Sequence, residues 1–178
     1  MKYDAVVIGG GRSGCSAALE LANDGKAVCL VTEGLTLDSL KPEFSGSPYK
    51  RLASLTTAGV VVMRGDSVVG GPWNGSRLVE VLTRNGLVLQ AEDFILATGR
   101  FFSGGLVATM DKIYEPVFGA DVDFPSDRSE WFDSDFFAPQ PFESFGVKTT
   151  WEGKIYVGGV PAENVTAIGS ILGENAGK

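Results

Sequence analysis

Three glycines near the amino terminus have the spacing of a phosphate-binding loop. Gly9, Gly11 and Gly14 form a Gly-x-Gly-x-x-Gly pattern. In such a loop the first glycine allows a tight turn, the second lets the backbone approach a pyrophosphate, and the third lets a helix pack close to a sheet. The start of that helix, with Arg12 and Ser13, would offer amides and a partial positive charge to the phosphates. The pattern therefore predicts a dinucleotide-binding site.

The residue predicted to bind the ribose of that dinucleotide is Glu33, with Gly34 directly after it. A carboxylate at the end of the second strand accepts hydrogen bonds from a ribose diol, whereas an arginine there would accommodate a 2′-phosphate. Glu33 therefore disfavours NADP and leaves FAD and NAD. An empty fold of the same type, with no nucleotide, is the alternative that this pattern leaves open.

The elements around these residues are the ones that such a loop requires. An apolar run at 5–8 predicts a buried parallel strand, and residues 13–23 have a helical pattern that ends at Asn23-Asp24-Gly25. Residues 27–32 predict a second buried strand. Together they make a βαβ unit, with the glycines between its first strand and its helix.

The middle of the chain predicts a connection followed by antiparallel strands. Residues 34–58 contain prolines, glycines and serines, and predict a loop with one short helix near 49–55. Residues 60–90 predict a β-meander with a hairpin turn at Asn85-Gly86, because Asn-Gly between two apolar runs is a strong hairpin signal. Further strands are predicted at 94–97, 155–157 and 165–168.

Residues 100–150 are rich in phenylalanine and in acidic side chains, and four prolines interrupt them. They predict irregular structure with short strands, packed by aromatic residues. If no further domain covers these aromatic residues, they are a candidate interface with another polypeptide. The acidic residues are expected to form a solvated face, with a carboxylate metal site as the less favoured alternative: Asp121, Asp123, Asp127, Glu130, Asp133 and Asp135.

Composition excludes several classes of protein. The chain has 178 residues, 2 cysteines, no histidine and a net charge of −7. Without histidine there is no Ser-His-Asp or Cys-His catalysis and no histidine-ligated zinc. The negative charge disfavours nucleic acid as a partner, and no apolar run is long enough to span a membrane. We expect one domain over residues 1–178 and, with no signal peptide evident, a cytoplasmic protein that contacts the inner membrane at most peripherally.

A second set of residues distinguishes between the two remaining dinucleotides. Ala97-Thr98-Gly99 ends a predicted strand that follows the meander. This strand end resembles that of the two-dinucleotide-binding-domain flavoproteins, in which a strand beside the meander also contacts adenine through its backbone, here at Val68. Gly169-Ser170 resembles their last motif, in which an aspartate usually follows the glycine and binds the ribityl chain. The resemblance implies FAD as the cofactor, with NAD less favoured.

A narrower resemblance covers residues 1–47 and 59–173. The chain is similar to the B subunit of bacterial anaerobic glycerol-3-phosphate dehydrogenase in several long strings, of which the Phe-Ser-Gly-Gly run at 102–105 is not general to flavoproteins. These strings are 97–107, 115–119, 135–142, 145–147 and 167–173, with a shorter likeness at 44–47.

The resemblance implies an α/β, Rossmann-like FAD-binding domain with a central parallel sheet and a β-meander. It also implies an electron-transferring accessory subunit that assembles with a sister dehydrogenase subunit or with a second copy. The family has a cap or substrate domain between the second strand and the meander, and a helix after the last motif, and we expect this shorter chain to lack both. No catalytic residue is assigned, because no base is evident. The alternative is a minimal dinucleotide-binding module, or a degenerate flavoprotein, without redox turnover.

Overall fold

A computed structural model of the chain describes residues 2–34 and 48–177. The short serine-glycine likeness at 44–47 lies outside the described residues. Among the described residues, no helix is long and apolar enough to cross a membrane.

The predicted βαβ unit is confirmed. It consists of β1 (Lys2–Ile8), α1 (Arg12–Asn23) and β2 (Val28–Thr32), and the two strands pair in parallel with Val6 opposite Cys29. Every residue of β2 and the last four of β1 are buried, as expected for parallel strands that are covered on both faces.

A second helix and the remaining strands of the described residues follow in chain order. One helix precedes the meander, and it is close to the helix predicted near 49–55. The elements are α2 (Pro48–Thr57), β3 (Val61–Arg64), β4 (Val68–Gly70), β5 (Trp73–Asn74), β6 (Arg77–Leu78), β7 (Glu80–Thr83), β8 (Val88–Leu96), β9 (Val107–Ala108), β10 (Ile113–Tyr114), β11 (Val122–Asp123), β12 (Gly146–Val147), β13 (Lys154–Val157) and β14 (Val160–Ala167).

The main sheet runs in the order β13-β14-β8-β1-β2-β3. The five strands from β14 to β3 are parallel to their neighbours, and β13 is antiparallel to β14. The carboxyl ends of all five parallel strands therefore lie at one edge of the sheet. In open α/β sheets this is the edge at which ligands bind.

The meander differs from the prediction at both of its ends. Residues 61–64 fall within the predicted meander, but β3 pairs in parallel with β2 at the outer side of the main sheet. The last strand of the predicted meander, which ends at residue 90, and the predicted strand at 94–97 form one strand, β8. Its residues 88–90 pair with β7, and its residues 90–96 run beside β1. Gln90 lies opposite both Glu80 and Lys2. The strand exchanges partners on one side without interruption, so no turn residue marks the change.

Side chains of the main sheet face two separate cores, because successive residues of a strand point to opposite faces. Val7 and Leu30 are buried against α1 and α2. Val6, Val31 and Phe94 are buried on the other face, together with residues of the meander and of 100–150. The two helices therefore cover one face of the sheet, and the meander and the aromatic residues of 100–150 cover the other.

Residues 100–150 are irregular, as predicted, with two-residue strands and short 3₁₀ turns. Aromatic rings pack edge to face within them: Phe124 meets Trp131 with ring centres 5.7 Å apart, and Phe101 meets Phe142 at 6.1 Å. Trp131 is 7% exposed, while Phe137 is 92% exposed. The aromatic residues are therefore divided between the core and the surface.

Candidate cofactor site

The glycine loop joins the end of β1 to the start of α1, and two of its glycines are fixed by close backbone contacts. Gly9 has a φ of 110°, and a Cβ there would overlap the carbonyl oxygen of Ala97. A Cβ on Gly14 would overlap the carbonyl oxygen of Gly9. Only glycine fits at these two positions, because the atoms that a side chain would meet belong to the backbone. The loop therefore lies directly against the end of β8.

Gly11 is different from its two neighbours in the motif. Its φ is −74°, which any residue adopts, and apart from its two chain neighbours no described residue has an atom within 4 Å of the position that its Cβ would occupy. Gly11 also caps α1 without a side-chain hydrogen bond. The first amides of a helix have no partner inside the helix and carry a partial positive charge. Open space beside these amides, including those of Arg12 and Ser13, fits a pyrophosphate.

The two strand-end motifs predicted to contact the cofactor, 97–99 and 169–170, meet at the same edge. The amide of Ala97 donates to the carbonyl of Ile8 at 2.8 Å, and this hydrogen bond places the end of β8 beside the glycine loop. Gly99 has a φ of 74°, and a Cβ there would lie 3.4 Å from the Ser170 hydroxyl oxygen. A Cβ on Gly169 would overlap the hydroxyl of Ser13. The structure therefore brings 97–99, 169–170 and the start of α1 together.

Two buried polar atoms at this edge have no hydrogen-bond partner within the described residues. They are the Thr98 hydroxyl and Nε of Arg100. Arg100 also donates from Nη2 to the Leu172 carbonyl at 3.0 Å, which ties the loop after β8 to the segment after β14. Unsatisfied buried polar groups are rare in folded proteins, so their presence here is consistent with a polar ligand. Sequence reasoning gave Arg100 no role, although it lies within the string 97–107.

Glu33 lies just after the end of β2, where its role requires it, and it has a partner that the sequence did not reveal. Nη2 of Arg84 contacts Oε1 of Glu33 in an ion pair whose side chains are 66% and 61% exposed. The backbone beside Glu33 is held by Thr32, whose hydroxyl donates to the Gly34 carbonyl at 2.9 Å. The backbone beside the predicted ribose-binding carboxylate is therefore held in place, and the carboxylate itself has a cationic neighbour.

A buried carboxylate holds Arg84 in that place. Asp66 is 4% exposed, and its Oδ1 accepts hydrogen bonds from the amides of Ser67 at 2.8 Å and Asn85 at 3.1 Å. Burial acts to raise the pKa of Asp66, but hydrogen bonds from Thr83 and these amides and the charge of Arg84 outweigh it, so the pKa is lowered. Asp66 therefore stays ionised and fastens the hairpin turn after β7 to the turn before β4.

Val68 is the predicted site residue with the least structural connection to the others. It lies in β4, 4% exposed, and its side chain is buried in the same core as Val31. Its neighbour Ser67 accepts the Arg84 amide at 2.8 Å, which links the start of β4 to the Glu33 pair. A backbone contact of Val68 with adenine stays a prediction.

The acidic residues of 100–150 form no metal site within the described residues, where no cluster of three potential ligands occurs. Several instead accept hydrogen bonds from the backbone. Asp121 accepts from the amides of Gly158 and Gly159 at 3.0 and 2.7 Å. A surface depression of about 330 Å³ lies beside Asp123 and Lys148. None of its lining residues is a predicted site residue, and we assign it no role.

Comparison with known families agrees with this geometry. The family model described as "FAD binding domain" matches residues 4–86 and 53–177. The chain belongs to this FAD-binding family. FAD, the cofactor predicted from the strand ends at 97–99 and 169–170, is thereby confirmed over NAD. The assignment of individual residues to parts of the cofactor stays a prediction.

The resemblance to one dehydrogenase component is also confirmed. The chain is 44% identical over 117 residues to the B subunit of anaerobic glycerol-3-phosphate dehydrogenase from Yersinia pestis bv. Antiqua. It is 39% identical over 122 residues to the protein of the same name from Actinobacillus succinogenes. Each match covers 65% of this chain and 28% of the relative. The aligned part therefore spans little more than a quarter of the length of these relatives.

Among solved structures, the FAD-binding chain is similar to an L-amino acid deaminase from Proteus vulgaris. The TM-score is 0.47 with 11% sequence identity, over 58% of this chain and 54% of the other.

Proposed function

We propose that this chain, as a single FAD-binding domain, binds FAD along the carboxyl edge of its parallel sheet. It would serve as the FAD-binding part of an oxidoreductase similar to the B subunit of anaerobic glycerol-3-phosphate dehydrogenase. The observation that supports this most directly is the meeting of the glycine loop, 97–99 and 169–170 at one edge. Bound flavin would supply the electron-transfer chemistry, and the protein would supply position and electrostatics.

Each part of the edge suits a different part of the cofactor. The amides at the start of α1 would donate to the pyrophosphate beside Gly11, where the described part of the chain leaves open space. Glu33 would accept the ribose hydroxyls. Residues 97–99 and 169–170 would lie along the flavin end, where the Thr98 hydroxyl and Arg100 Nε have hydrogen-bonding capacity that the described residues leave unused.

A dinucleotide-binding module without redox turnover is the second candidate, and Ser170 favours it. The related flavoproteins usually have an aspartate at this position, whose carboxylate binds the ribityl chain. A serine hydroxyl is uncharged and makes a weaker hydrogen bond than a carboxylate does. The flavin end would then be held less firmly than the adenosine end.

The visible absorbance of flavin distinguishes these functions. We expect the purified chain, after addition of FAD and removal of the excess, to retain FAD in a near one-to-one ratio and to prefer FAD to NAD. Reversible bleaching of the bound flavin by dithionite and air would show that the electrons can enter and leave. Bound FAD that cannot be reduced would support the module without turnover. A protein that takes up no FAD would contradict both candidates.

We also propose that the chain is one subunit of a larger assembly and contacts its partner through the phenylalanine pair, Phe136 and Phe137. Their rings pack edge to face at 5.6 Å and are 84% and 92% exposed. The Asp135 carboxylate accepts the Phe137 amide at 3.0 Å, and Asp133 accepts the Asp135 amide at 2.8 Å. The pair is therefore presented on hydrogen-bonded turns with negative charges beside it.

Charge favours a sister subunit over a second copy as this partner. Two copies would each bring a net charge of −7 and the same carboxylates to the contact, and like charges in contact are unfavourable. A partner with an apolar pocket and a basic rim would complement the pair. We expect a complex with a co-expressed sister dehydrogenase subunit to weaken with added salt and to be lost in a Phe136→Ser, Phe137→Ser double variant. A stable homodimer that the same double variant disrupts would contradict this choice of partner.

A further inference from the structure

We propose that Arg84 determines which adenine nucleotide the site accepts. It positions Glu33 for an unmodified ribose and, when the Glu33 carboxylate is removed, becomes the cation that binds a 2′-phosphate. This inference rests on the proposed FAD function, because it concerns the adenosine end of the same site. Its basis is the Glu33–Arg84 pair and the hydrogen bonds that place both residues.

The turn that carries Arg84 is held firmly by its backbone. The Arg84 amide donates to the Ser67 carbonyl at 2.8 Å, and the Gly86 amide closes the hairpin onto the Thr83 carbonyl at 2.9 Å. The Asn85 amide donates to the buried carboxylate of Asp66 at 3.1 Å. The backbone of Arg84 and of the two residues after it is therefore held by hydrogen bonds, which fix the position from which the Arg84 side chain extends.

The backbone that carries Glu33 is held to the same turn. The Gly65 amide donates to the Thr32 carbonyl at 3.0 Å, one residue before Asp66 and one residue before Glu33. This hydrogen bond joins the end of β2 to the turn after β3. Arg84 and Glu33 are therefore 51 residues apart in sequence but share one hydrogen-bonded support.

Stability alone gives little reason for this arrangement. Exposed ion pairs contribute about 0–1 kcal/mol, and both side chains of this pair are more than half exposed. The chain has a comparable pair elsewhere: Nη2 of Arg77 lies 3.3 Å from a carboxylate oxygen of Glu92, with side chains 45% and 57% exposed, and Asn164 joins the backbone of Leu78 to that of Glu92. What distinguishes the Arg84 pair is its position on the residue predicted to bind ribose.

The chemistry of the two groups gives the pair its selectivity. A carboxylate has about four acceptor sites, so Glu33 can accept Arg84 and both ribose hydroxyls together. Arg84 would hold the carboxylate in one orientation and so lower the entropy lost when the ribose binds. A 2′-phosphate would instead meet the negative charge of Glu33. With Glu33 replaced by serine, Arg84 would be left as an exposed guanidinium, which suits phosphate oxygens.

The first arm of the test compares Arg84→Ala with Arg77→Ala, a matched loss of one exposed, ion-paired arginine. We expect Arg84→Ala to weaken FAD binding about fivefold to tenfold, while both variants unfold at the same temperature as each other. Equal FAD affinities in the two variants would overturn the positioning role. Tighter binding in Arg84→Ala would also overturn it, since Arg84 would then be competing with the ribose.

The second arm measures competition for the site by ADP and by adenosine 2′,5′-bisphosphate. Glu33→Ser should gain at least about tenfold in affinity for the 2′-phosphate compound, and the double variant Glu33→Ser, Arg84→Ala should lose that gain. A gain that persists without Arg84 would overturn the inference. The two proposals fail separately: wild-type protein that binds no FAD overturns the proposed function, whereas wild-type protein that binds FAD with Arg84→Ala unchanged overturns only this inference.

Discussion

The parallel sheet and residues 100–150 are held together in different ways. In the sheet, backbone pairs with backbone along strands of four to nine residues. In residues 100–150 the strands have two residues each, and many backbone amides donate hydrogen bonds to carboxylates. Glu115, 1% exposed, accepts from the amides of Val117, Phe118 and Ala120 at 2.7, 2.8 and 3.3 Å. The sheet is therefore organised by regular backbone pairing, and residues 100–150 are organised by hydrogen bonds to individual carboxylate side chains.

This difference decides which substitutions should damage each region. A sheet with many equivalent hydrogen bonds tolerates most surface changes but not a new atom where two backbones touch. An irregular segment tolerates changes at its exposed rings but not the loss of a carboxylate on which several amides depend. Substitutions at Gly14, at Glu115 and at the phenylalanine pair test this contrast.

Gly14→Ala should be the most damaging single change. The new Cβ would overlap the Gly9 carbonyl oxygen, and Gly9 cannot retreat because it already packs against the Ala97 carbonyl. We expect a loss of about 3 kcal/mol in the free energy of unfolding, the upper range for overpacking, measured by urea denaturation. A loss below about 1 kcal/mol would show that the loop and the end of β8 are not in contact.

Glu115→Gln should cost about 2 kcal/mol, because an amide nitrogen would replace one of the oxygens that face these donors. The penalty should also depend on pH. Burial raises the pKa of Glu115, although hydrogen bonds from the backbone amides oppose the shift. A raised folded-state pKa stabilises the wild type most below the unfolded pKa, and that advantage falls as pH rises through the folded pKa.

The measurement for Glu115 is the difference in unfolding free energy between wild type and Glu115→Gln at pH 4 and pH 7. We expect the larger difference at pH 4. Other carboxylates titrate in both proteins and largely cancel in the comparison. A penalty that grows toward pH 7 would mean that the carboxylate gains more from its amides than it loses by burial.

The double variant Phe136→Ser, Phe137→Ser should change stability least. Because both rings are exposed, we expect the unfolding free energy to stay within about 0.5 kcal/mol of wild type. Solubility at high concentration should rise, since apolar surface is removed. A loss above 1 kcal/mol would show that the pair packs within the chain and is not available to a partner.

Much of the sheet could be predicted because its signals are local. An apolar run, three spaced glycines and a second apolar run specify the βαβ unit, and Asn85-Gly86 specifies the hairpin. The errors fall where pairing is not local. The sequence does not show that β3 joins β2, nor that β8 serves both the meander and the parallel sheet, because both depend on which strand lies alongside.

The residues of the candidate site likewise fall into those that a local sequence signal reveals and those that depend on non-local pairing. The glycines were found because backbone contact restricts their identity, whereas Arg84 and Asp66 have no motif and reach Glu33 only through the pairing of turns. The acidic residues of 100–150 were expected to be a solvated face. Many are exposed, yet Asp121 accepts hydrogen bonds from two backbone amides, and Glu115, which was not part of that prediction, accepts from three. The spacing of these carboxylates in the sequence did not indicate this role, because the irregular path of the chain determines which amides donate to them.

The most direct test of FAD binding at the carboxyl edge is the FAD affinity of Gly11→Ala beside that of wild type. Apart from Gly11 and its two chain neighbours, none of the described residues has an atom within 4 Å of the new methyl group, so the unfolding free energy should fall by no more than about 1 kcal/mol, the cost of a poorer helix cap. Ser16→Ala, on the exposed side of α1, is the matched control and should bind FAD as wild type does. We expect Gly11→Ala to bind FAD at least about a hundredfold more weakly, because the methyl group would occupy the space of the pyrophosphate. Wild-type affinity in Gly11→Ala would contradict this placement of the cofactor.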